Sequence, residues 1–135
     1  MFKLARNLSS GANVPEPCRL PLPSDMEYRY GAAVLLKDGS IYNAFENEKP
    51  TFITGESAKE NEKTRITCYP ITSSMIFEAP LIGDPTNVSV GSKVNLAVDN
   101  GFAIGVSDDT NNGFVTIFSL NGAKKSGDRV YVRFE

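Results

Sequence analysis

The prolines at Pro15, Pro17, Pro21 and Pro23 constrain the start of this chain more than any other feature. Each lacks an amide donor and biases its predecessor toward extended geometry, so no helix passes through them. Apolar residues are spaced through the same stretch at Phe2, Leu4, Leu8, Val14, Leu20 and Leu22, with Ser9, Ser10, Gly11 and Asn13 among them. That is too apolar for a solvated linker. The expectation is an extended N-terminal arm over residues 1–25 and a folded body over residues 26–135. At ~3.1 Å per residue, such an arm reaches roughly 70 Å. Its apolar side chains are the expected partner-binding set, each contributing on the order of 1 kcal/mol after ordering costs.

From Tyr28 onward the pattern becomes short apolar or alternating runs closed by turn residues. Gly31 to Lys37 and Ile41 to Phe45 flank Asp38-Gly39. Lys93 to Asp99 and Phe102 to Ser107 flank Asn100-Gly101. Both dipeptides favour positive φ at the two central positions of a hairpin turn. Asn121-Gly122 gives a third turn signal. Strands are also expected at Thr51 to Thr54, Thr64 to Tyr69, Met75 to Glu78, Phe114 to Leu120 and Asp128 to Glu135. Gly55 to Lys63 is polar and is expected to be an exposed loop. Pro80, Gly83 and Pro85 make Ala79 to Asn87 a loop. Short strands at this spacing, with no helix among them, predict an all-β fold, a small antiparallel β-barrel or sandwich. The phenylalanines at Phe45, Phe52, Phe77, Phe102, Phe114, Phe118 and Phe134 are expected on strands, in the core.

Few residues point to chemistry. The 135 residues include no histidine and no tryptophan, which removes the commonest acid–base group and metal ligand. No enzyme activity, cofactor or metal is expected. Asp108, Thr110, Asn112 and Gly113 match the first half of a calcium loop, but position 12 is Ser119 where a bidentate Glu is needed. They fit a turn better. Glu46, Glu48, Glu56, Glu60 and Glu62 interleave with lysines, as on a solvated face. Lys124, Lys125 and Arg129 form a small basic cluster with Asp128 inside it. With 14 basic and 16 acidic residues, net charge −2, neither nucleic acid nor membrane is an expected partner.

Cys18 and Cys68 form no CxxC motif, and both are expected to be free thiols. A disulfide between them would require close α-carbons, which sequence does not give. No secretory leader is expected, because the basic start lacks a long apolar run.

In order and spacing the chain resembles the small head-decoration, or capsid cement, proteins of tailed bacteriophages. The resemblance rests on an extended arm, then YRYGAAVLLKDGSI, KPTFITGE, ITCYPITSSMIFEAPL, VGSKVNLAVDNGFAI and a closing GDRVYVRF strand, over roughly residues 26–135. These are strand patterns punctuated by glycine, not an invariant site. The arm matches in character only. The resemblance implies a non-enzymatic virion protein, often a homotrimer. It implies a partner in the major capsid protein, a place on the capsid exterior after synthesis in the host cytoplasm, and a role in locking neighbouring shell subunits. The alternative from a different class is a β-sandwich binding module for carbohydrate or a host surface.

Overall fold

The computed structural model describes residues 1–7 and 16–135. Twelve strands are found among them: β1 (Lys3–Asn7), β2 (Cys18–Pro21), β3 (Ala33–Lys37), β4 (Ser40–Asn43), β5 (Phe52–Thr54), β6 (Arg65–Pro70), β7 (Met75–Ile82), β8 (Lys93–Val94), β9 (Leu96–Asp99), β10 (Phe102–Ser107), β11 (Val115–Ser119) and β12 (Arg129–Phe134). The one helical element among the described residues is a 3-10 turn at Pro85–Asn87. The all-β expectation therefore holds.

The strands make one mixed sheet, ordered β2-β6-β5-β3-β10-β7-β12-β11-β8, with β1 added on β7, β4 on β3 and β9 on β10. Two parts of the expectation need correction. The sheet is not purely antiparallel, because β10 runs parallel to the end of β7 through Val106–Leu81 and Ser107–Ile82. Nor does it close into a barrel. Among the described strands β1 ladders only with β7. On its other side the amide of Phe2 donates to the carbonyl of Gly31 at 2.8 Å, and side chains rather than a ladder fill the seam.

Strand β7 joins the two halves, and it corrects the expected loop at Ala79. It continues through Pro80 to Ile82. Leu81 donates to the Asp128 carbonyl at 2.9 Å, and Pro80 faces Arg129. Hydrogen-bonded pairs alternate in an antiparallel ladder, so the nitrogen of Pro80 points away from β12. On that other side the β1 ladder stops at Glu78 and the β10 ladder starts at Leu81. Proline occupies the gap where no donor is needed.

Two hairpins form as expected. Lys37 pairs with Ser40 across Asp38-Gly39, and Asp99 pairs with Phe102 across Asn100-Gly101. Both asparagine-like positions have positive φ, 51° at Asp38 and 52° at Asn100. Asn121-Gly122 also turns, but inside a longer connection, since β11 and β12 pair from Ser119 with Tyr131. The run from Lys93 to Asp99 is not one strand. It breaks at buried Asn95, whose amide donates to the Asp109 carbonyl at 2.9 Å, so that β8 joins β11 and β9 joins β10.

The core has two parts. The larger contains Phe2, Phe77, Leu81, Val94, Val106, Ile117, Val132 and Phe134. The smaller contains Leu22, Tyr28, Val34, Ile41, Ile66 and Cys68. Neighbours Ala33 and Val34 fall in different clusters, as alternation along a strand covered on both faces requires. Tyr28 anchors the smaller core. Its hydroxyl donates to the Ile41 carbonyl at 2.5 Å, and burial pushes its phenol up to about 12. The backbone of Tyr28 bridges to Ala58 in both directions. Ala58 is consequently buried, although the loop that carries it is polar.

Candidate functional site

The expected arm is the first place to look for a partner-binding surface, and its described residues lie against the chain's own body. Phe2 is buried between Phe77 and Phe134, with ring centroids 6.5 Å and 5.2 Å away. Leu4 pairs with Phe77 on β7 and packs on the larger core. Leu20 pairs with Ile66 and packs on the smaller core, where Leu22 is buried. Leu8 and Val14 lie outside the described residues. Both β1 and β2 complete ladders of the body, on β7 and β6. The signal was present in the period-two spacing of Phe2 and Leu4, which suits a strand with one buried face.

The prolines have a positional meaning. Leu22 donates to the Thr64 carbonyl at 3.2 Å, and Pro21 pairs with Arg65. Bonded pairs recur every second residue, so Leu22, Leu20 and Cys18 face β6 with their amides. Pro21 and Arg19 fall at the alternate positions, whose backbone groups face the side of β2 on which no described strand ladders, and there the Arg19 carbonyl accepts from the Arg65 guanidinium at 3.3 Å. Proline at such a position blocks strand addition by another chain.

Several of the charged groups tie parts of the fold together. Arg129, expected in a basic cluster, is paired with Glu78 through its Nε, and its Nη2 donates to the Met1 carbonyl at 3.0 Å. Asp128 accepts from the amides of Lys124 at 2.9 Å and Lys125 at 3.2 Å, which ties that turn together. In the candidate calcium loop Asp109 accepts from the amide of Asn111 at 3.0 Å, an Asx turn. Among the expected loop carboxylates, Glu56 is the one built into a network. It lies 2.8 Å from Lys63 and 3.2 Å from Arg19, and accepts from the amide of Thr67 at 3.1 Å. Bonds from Lys63 and Thr67 hold its carboxyl down to about 2.

Large apolar side chains are also exposed. Phe45 is 64% exposed and Val90 65% exposed, and Tyr30, Leu36 and Ile82 are also exposed. Phe45 corrects its expectation, since it lies after β4, outside the core. It stands at a groove of about 330 Å³ whose lining is mixed, with Met26, Leu35 and Tyr42 beside Lys37, Asp38, Asn43 and Glu48. A second concavity of about 270 Å³ opens on the unclosed seam between β1 and β5, floored by Phe2 and Phe77 and walled by Tyr30 and Tyr69. Sequence patterning missed both, because a strand-like run reads as core whichever face is covered. No protein-family model matches the chain, and no match was found among curated proteins or solved structures.

Proposed function

We propose that this protein is a structural virion protein that binds the outer surface of a tailed-phage capsid and stabilises the shell by bridging neighbouring subunits. The observation that supports a binding role is the exposure of Phe45, outside both cores, beside a groove that combines Met26, Leu35 and Tyr42 with Lys37, Asp38, Asn43 and Glu48. A large aromatic ring left in water at a concave surface is the kind of residue that anchors a protein contact. The sequence resemblance supplies the partner, the major capsid protein, and the homotrimeric form. Phe2 and Leu22 belong to the core, so docking is assigned to the exposed surface around Phe45 and not to the buried arm residues.

The test is co-sedimentation of the purified protein with expanded tailed-phage heads stripped of their own decoration protein, with light scattering to give the oligomer mass. Saturable binding with a rise in head stability to heat is expected. Failure to bind heads, together with retention on immobilised glycans, favours the carbohydrate-binding alternative. The seam cavity between Tyr30 and Tyr69 is then the surface to examine.

A further inference from the structure

The register of β2 on β6 places two thiols opposite each other. Cys18 pairs with Cys68, at opposed positions of neighbouring antiparallel strands. Residues opposed in this way project their side chains to the same face of the sheet. Both are free thiols, and Cys18 Sγ donates to the Cys68 carbonyl at 3.6 Å. The hydrogen-bonded alternation carried down from Leu22 and Thr64 makes this a hydrogen-bonded pair. Its α-carbons are then about 5.5 Å apart, within the range that a disulfide spans, and its β-carbons about 5–5.5 Å apart, so closing the bond requires edge strand β2 to draw toward β6 by roughly 1 Å. The two residues differ in access, since Cys68 is buried in the smaller core and Cys18 is half-buried at its rim.

We propose that Cys18 and Cys68 form a reversible disulfide under oxidising conditions, stapling edge strand β2 to β6. The oxidant is a small-molecule disulfide such as glutathione disulfide. The thiolate of half-buried Cys18 attacks one of its sulfurs. A mixed disulfide forms on Cys18, and one glutathione thiolate leaves and takes up a proton. Cys68 then loses its proton and attacks Cys18 Sγ, and the second glutathione leaves. Two protein thiols and one glutathione disulfide become one protein disulfide and two glutathione thiols. Burial pushes the Cys68 thiol up to about 12, which makes Cys18 the first attacker and the closing step the slow one.

The staple has a structural consequence. Among the described strands, β2 ladders only with β6. The bond would close a loop between positions 50 apart in sequence, which removes much freedom from the unfolded chain. An oxidised protein should therefore hold β2 in place under conditions where the reduced one frays.

The test uses the full chain in glutathione buffers of graded redox ratio, quenched by denaturing alkylation and read by intact mass and non-reducing peptide mapping. The expected result is joint loss of both thiols, a mass lower by two hydrogens, and one peptide pair linking Cys18 to Cys68. The thermal midpoint of the oxidised form should rise by several degrees, and reductant should reverse it. Cys68→Ser should stop at a glutathione adduct on Cys18. The proposal is overturned if both wild-type thiols remain alkylatable in the most oxidising buffer. It is also overturned if wild type stops at the adduct, or if the only disulfide joins two chains.

Discussion

The ring of Phe2 lies 5.2 Å from the ring of Phe134, so residues from the two ends of the sequence share one aromatic contact. Phe77 completes the cluster, with its ring 5.4 Å from Phe134. Phe2 therefore helps to fold the body. Replacing Phe2 with Ala is expected to cost about 3–5 kcal/mol, the range for truncating a buried aromatic. Equilibrium urea unfolding checks it. Removing residues 1–7 should do more, since it strips β1 from β7 and opens the larger core. Aggregation or loss of the cooperative transition is expected. A truncated protein with an unchanged midpoint would show that β1 is dispensable.

Gly105 and Pro80 are matched across the β7–β10 junction. A β-carbon on Gly105 would sit 2.5 Å from the Pro80 carbonyl oxygen and 2.9 Å from its Cγ. The obstruction is backbone, so it does not swing aside. Gly105→Ala is expected to destabilise by at least about 1–3 kcal/mol, the usual cost of overpacking. Gly101→Ala is a useful contrast, because nothing lies near its β-carbon and its cost should come from its positive φ of 87° alone. Denaturation midpoints of the two variants separate crowding from backbone strain.

Glu56 should contribute a measurable part of the acid limb of stability. Its ordinary value is 4.5, and hydrogen bonds from Lys63 and Thr67 lower it to about 2 in the folded chain. A carboxylate lowered by folding stabilises fully above its unfolded value and loses that contribution as pH falls through its folded value. Wild type should thus outlast Glu56→Gln by the widest margin near neutral pH. The margin should shrink from pH 4.5 toward pH 2. Arg19, at 59% side-chain exposure, adds little through solvent, so the Lys63 bond should dominate. A margin that stays constant over this window would sink the assignment.

The hairpins at Asp38-Gly39 and Asn100-Gly101 were legible because those dipeptides fix the local backbone without help from the rest of the chain. Pro80 was not, because its tolerance depends on which strand stops beside it, and sequence does not show neighbours. The break at Asn95 was hidden for the same reason. Its flanking residues alternate as one strand would, and only the approach of Asp109 and Asn111 turns the chain. Phe2, Leu4, Leu20 and Leu22 were legible as sticky and extended, but not as partners of their own body. Phe45 fell the other way, apolar and strand-like in sequence yet left outside the core.

Pro21 and Pro23 should act by exclusion. Pro21 occupies a position of β2 whose backbone faces the side on which no described strand ladders, and Pro23, just past the strand, continues the same two-residue spacing. Replacing both with Val restores two amides to that edge and raises its β-propensity. Stability should change by no more than about 0.5 kcal/mol, as for substitutions that remove no core contact. Self-association should rise with concentration, as measured by sedimentation velocity. A variant that keeps the sedimentation coefficient of wild type up to high concentration would mean that the edge is protected in another way.

Phe45 is where folding and binding should come apart. Its side chain is 64% exposed, and the groove beside it carries Leu35 and Tyr42, which the fold itself holds in place through the β3–β4 pair Leu35–Tyr42. Phe45→Ser should therefore leave the thermal midpoint close to that of wild type, because little buried area is lost. Attachment to stripped heads should weaken by at least tenfold if the ring is a docking anchor, since truncating such an anchor costs about 1–2 kcal/mol or more. Glu48 accepts from the Phe45 amide at 2.9 Å and fixes the turn that presents the ring. Glu48→Ala should consequently give a smaller loss in the same assay, through positioning alone. Val90→Ser, at an equally exposed site on the β8 side of the sheet, serves as the control. Equal losses for Phe45→Ser and Val90→Ser would point to general surface stickiness, and no loss for Phe45→Ser would remove this groove from the docking surface.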